Sequence, residues 1–129
     1  MNGWLLAAGI TTFGVAAAHI IGGHRDVVRP LLSCGLADEP KRVLHAVWHM
    51  VSIDLVLSAA ALVHLALADG TSATGLMAWF VAAHFVAYAV AFLVVTLSVD
   101  WPKPLLRLPQ WILLLPVAVL TIAGAARTP

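Results

Sequence analysis

Four long runs of apolar residues follow one another along the chain, at about 4–23, 43–68, 75–99 and 105–126. Each is long enough to cross a bilayer, which needs about 20 helical residues. None alternates apolar and polar positions as a strand does, so the pattern predicts helices throughout. Polar or Pro/Gly-marked links join them at 24–42, 69–74 and 100–103. The first link is the longest, and Pro30, Gly35 and Pro40 are expected to break it into short pieces. The expected fold is an all-α integral membrane protein. It is a single four-transmembrane-helix bundle over 1–129, with both termini on the outer side.

Composition agrees with that pattern. Hydrophobic residues make up 62% of the 129 positions and charged residues 10%, and mean hydropathy is +0.99. A soluble domain carries about a quarter of its residues charged, so this chain cannot cover a water-facing surface. Its apolar exterior must meet the lipid bilayer, other copies in a homo-oligomer, or the subunits of a larger membrane complex. A net charge of +1 without a basic tract gives no reason to expect a nucleic-acid partner. The single Cys34 forms no internal disulfide.

The few charges set the expected orientation. Arg25, Arg29, Lys41, Arg42, Lys103 and Arg107 all fall on the side of the first and third links, and only Arg127 lies on the other. The positive-inside rule places those links in the cytoplasm and both termini outside, in a multi-pass protein of the plasma (inner) membrane. No basic residue precedes the first apolar run, so it reads as a retained helix and not a cleaved leader. Trp4 and Trp79 toward the outer face, with Trp48, Trp101 and Trp111 toward the inner, read as an aromatic belt. Gly14 with Ala18, and Ala59, Ala60, Ala83 and Ala87, are small residues that would let helices approach closely. Pro116 is expected to kink the fourth helix.

Against this background the segment Leu44–Met50, reading LHAVWHM, stands out together with Asp54. Ionisable side chains inside a membrane segment are costly and usually pair, bind something or move a proton. His19 and His24 close the first apolar run, and His45 and His49 open the second from the same side. All four are therefore expected at one depth, near the inner interface. His45 and His49, four apart, share a helix face, an arrangement that offers two nitrogens to one metal ion. A third nitrogen from His19 would make a three-histidine site with an open position, suited to zinc, copper or iron. His24, Asp26 or Glu39 would complete that set or orient a ligand ring. A bis-histidine haem b between His19 and His45 or His49 is the other cofactor reading. The plain alternative is that these histidines cap carbonyls or face lipid headgroups.

Asp54 lies about three turns into the second helix and His84 near the middle of the third, at similar depth. Asp54 points away from His45 on the helical wheel, so the two belong to different groups. An Asp54–His84 pair, joined by Tyr88 one turn on, would be structural glue or a step in a proton path. His64, near the outer end, reads as an interfacial residue.

No phosphate-binding glycine loop, C-x-x-C or serine-nucleophile signature is present. Four short helices sharing histidines are similar in architecture to the small haem b cytochromes of membranes, a likeness that covers no motif and carries no function with it. The leading expectation is a membrane protein binding a metal ion or haem at the cytoplasmic ends of its first two helices. An open ligand position would allow metal-dependent oxidation or hydrolysis of a lipid-soluble small molecule. The alternatives are a proton-coupled transporter or channel using Asp54 and His84, and a non-catalytic accessory subunit.

Overall fold

The computed structural model describes all 129 residues, and every regular element in it is helical. Helix α1 (Gly3–Gly23) passes through a wide π-turn (His24–Val28) into the short α2 (Arg29–Ser33). Then follow α3 (Asp38–Leu67), α4 (Ser72–Leu97), the single turn α5 (Pro104–Arg107) and α6 (Gln110–Ala125). Three spans are long and apolar enough to cross a membrane: Gly3–Ser33, Asp38–Leu67 and Ser72–Leu97. The fourth long helix, α6, is equally apolar but has 16 residues.

Helix ends follow local chemistry. Asn2 accepts from the Trp4 and Leu5 amides at the start of α1, and Thr71 accepts from the Thr74 amide at the start of α4. Asp38 and Glu39 occupy the first turn of α3, where the helix dipole favours negative charge. Pro40 also sits in that first turn, where a missing N–H is harmless. It therefore helps begin α3, which starts about five residues before the apolar run.

The first link differs from the expectation of a long broken connection. Helix continues from α1 to Ser33, and only 34–37 lies outside helices. Pro30 does not end it, because the π-turn comes immediately before, with the Arg29 amide bonding back to the His24 carbonyl five residues earlier. That wider ring relieves the crowding a proline ring makes against the preceding turn. Pro116 likewise lies inside α6 without ending it.

Helix α1 packs along both α3 and α6, α4 packs along α6, and α3 touches α4 only lightly. Leu5, Leu62, Phe85 and Val117 are wholly buried at the centre. Two glycines set the closest approaches. A Cβ on Gly9 would stand 2.7 Å from a Val63 methyl and 3.2 Å from the Ala59 carbonyl of α3. A Cβ on Gly124 of α6 would stand 2.5 Å from Leu5 Cδ2. Gly14 and Ala18, the small residues expected to form a contact on α1, instead lie on its exposed face. Ala59 is buried against a neighbour, whereas Ala60, Ala83 and Ala87 are exposed.

The two chain ends meet at one end of the molecule. The Asn2 amide donates to the Ala66 carbonyl at 2.8 Å. Its side-chain Nδ2 donates to the Gly124 carbonyl at 2.9 Å and to Thr128 Oγ1 at 3.2 Å. One side chain thus ties the start of α1 to the end of α6. The π-turn, α2, the 34–37 loop and α5 occupy the opposite end.

Substituting Gly9→Val or Gly124→Val should lower stability by about 1–3 kcal/mol, the usual range for overpacking. Gly14→Ala, with nothing within 4 Å of the new atom, should leave it unchanged or slightly raised. Thermal unfolding of the three variants in one detergent measures the contrast.

Candidate functional site

Five of the six histidines fall into two groups, and Trp48 divides the first of them. On the α1 side of Trp48, the His19 ring stacks on the indole with centroids 5.0 Å apart. His19 Nε2 stands 3.5 Å from the Trp48 carbonyl oxygen, a contact at the limit of hydrogen bonding. His24, exposed on the π-turn, meets the same indole edge-on at 6.3 Å. Asp26 is exposed on that turn. On the far side, the His49 ring meets the indole edge-on at 5.0 Å. Room for the indole comes from Gly23, where a Cβ would stand 3.3 Å from Trp48 Nε1. That nitrogen is buried and has no hydrogen-bond partner. Trp48 is therefore wedged between α1 and α3.

His45 and His49 turn toward each other. Their Nε2 atoms stand 3.1 Å apart, with ring centroids at 4.6 Å. Without a metal, one imidazole donates its Nε2–H to the lone pair of the other. His49 is exposed and His45 half-buried, so the pair opens outward from the bundle. The Nε2 spacing is also that of two ligands on one ion. With metal–nitrogen bonds of about 2.0–2.1 Å, it corresponds to an angle of about 100° at the metal. No group of three or more His, Cys, Asp or Glu side chains comes close enough to share an ion. The third nitrogen expected from His19 is thus not brought to His45 and His49, and neither His24 nor Asp26 reaches them.

The second group lies about 16 Å along α3 from the start of its apolar part. There His84 Nε2 stands 3.0 Å from Asp54 Oδ2. The Tyr88 ring lies 4.3 Å from the His84 ring between centroids. Phe85 meets the His84 ring edge-on at 5.8 Å. Asp54 and His84 each keep about a third of their side-chain surface exposed (33% and 27%) because α3 and α4 barely touch. This polar bridge crosses the seam between them. His64 is exposed in the last turn of α3, far from both groups.

No protein-family model, curated protein or solved structure matches the chain.

The bridge should show coupling. His84→Leu leaves the Asp54 carboxyl unpaired and should destabilise by about 1–3 kcal/mol. Adding Asp54→Leu should recover part of that loss, because no unpaired polar group then remains. A double-mutant cycle on detergent unfolding reads the coupling directly.

Proposed function

We propose that this chain is a four-span membrane protein that binds one transition-metal ion through the Nε2 atoms of His45 and His49. The observation that carries the reading is their 3.1 Å separation, one helical turn apart on α3. Zinc, copper and iron(II) all accept imidazole nitrogen at such a spacing. On binding, the donor imidazole would carry its proton on Nδ1 instead of Nε2, so that both Nε2 lone pairs face the ion. A haem b would need its two histidines on opposite sides of the iron. Two side chains adjacent on one helix serve a bare ion better. Trp48, packed against His49, and the His19 ring behind it hold this part of α3 in place.

The four-span arrangement rests on α6 lying along both α1 and α4, and on Asn2 joining the two chain ends. Six of the seven Lys and Arg residues lie toward the other end, which supports a cytoplasmic position for that end in the plasma membrane. Cys34 is the only cysteine and is exposed in the 34–37 loop there. A membrane-impermeant maleimide should therefore label inside-out vesicles and leave intact cells unlabelled. The reverse pattern would invert the orientation.

Elemental mass spectrometry of the detergent-purified protein for iron, copper, zinc and manganese tests the metal reading. Bound metal is expected, with at least a ten-fold reduction in His49→Ala and no change in His64→Ala. Absence of metal after reconstitution would overturn it.

The Asp54–His84 bridge favours a second reading, proton passage across the bilayer. On that reading, Asp54→Asn abolishes proton flux in liposomes and leaves metal content intact. Flux equal to that of empty liposomes in the unmodified protein would rule it out.

A further inference from the structure

The histidine pair is half of a ligand set. Zinc held by protein side chains takes four ligands, and catalytic sites supply at least three. This chain brings only two nitrogens together, and no other His, Cys, Asp or Glu stands near enough to join them. The pair opens outward on α3, with His49 exposed. The missing ligands must come from outside the chain.

We infer that a second copy of this chain supplies them, giving one metal ion held by His45 and His49 of both copies on a twofold axis. The inference rests on the metal-binding reading above and names the partner of that site. Two copies inserted with the same orientation are related by an axis along the membrane normal, which brings identical residues together at identical depth. Two pairs with nitrogens 3.1 Å apart can then close a near-tetrahedral shell of four imidazoles. The surface continuing from His49 along α3 suits a second chain. Ile53 and Val56 are exposed there (59% and 40%), and Ala60 is a small residue on the same face. Ile20, Ser52, Ile53, Val56 and Leu57 line an open apolar groove of about 260 Å³ one turn from His49. Facing side chains have room to enter it, and small residues allow close helix approach in lipid.

The test is zinc titration of the full-length, metal-stripped protein in mild detergent, with molar mass followed by light scattering. The expected result is 0.5 zinc per chain, a shift from monomer to dimer as zinc is added, and return to monomer with EDTA. His49→Ala should lose both responses, with helix content checked by circular dichroism. Ile53→Trp removes no ligand and lies on the exposed face, so a bulky group there should weaken zinc binding at least ten-fold by holding the copies apart. One zinc per chain on a monomer would overturn the shared site while leaving the metal reading standing. That result with unaltered affinity in Ile53→Trp would point to water or a lipid phosphate as the remaining ligand. A dimer that survives both EDTA and His49→Ala would also overturn it. No zinc binding at all would overturn the shared zinc site, and the elemental analysis above would decide the metal reading separately.

Discussion

The closeness with which neighbouring backbones approach α1 governs this structure. Lipid tails are as apolar as the side chains they touch, so helices gain little from hiding apolar surface and associate through tight packing. Gly9 removes the atom that would meet Val63 and Ala59 of α3, and Gly124 removes the one that would meet Leu5. With α3 on one side and α6 on the other, α1 becomes the shared contact. Helix α4 then packs along α6 and is left nearly free of α3. The weak seam of the bundle follows from its strong ones.

That seam is where the membrane-embedded charge lies. Asp54 and His84 face each other across it at 3.0 Å, which lets two costly groups satisfy one another in a medium with no water to do so. Their partial exposure distinguishes them from a sealed core pair. The histidines at the other level divide differently. Trp48 packs between α1 and α3 and stacks on His19, while the Nε2 atoms of His45 and His49 have only each other as hydrogen-bond partners.

Much of the fold was legible because a bilayer permits few solutions. Every backbone group must be satisfied within its own segment, so long apolar runs become helices and their number can be counted. The fixed rise per residue makes depth an arithmetic quantity, and Asp54 and His84 could be matched across two helices on that basis. The i, i+4 spacing placed His45 and His49 on one face for the same reason. The first link was misjudged because Pro30 reads locally as a break. Relief came from a π-turn, a backbone adjustment with no residue signature of its own.

The sequence by itself determined the helices and the position of each polar residue along its own helix, both properties of single segments with fixed geometry. Which segments touch was decided only in three dimensions. Gly9 and Gly14 look alike in the chain, yet one lies at an interface and the other on the exposed surface. His19 stacks on the indole of Trp48 and does not join His45 and His49. Depth follows from the rise of one helix. Contact depends on the rotation of two helices about their axes, and that rotation is set by how small and large side chains interlock along the whole interface.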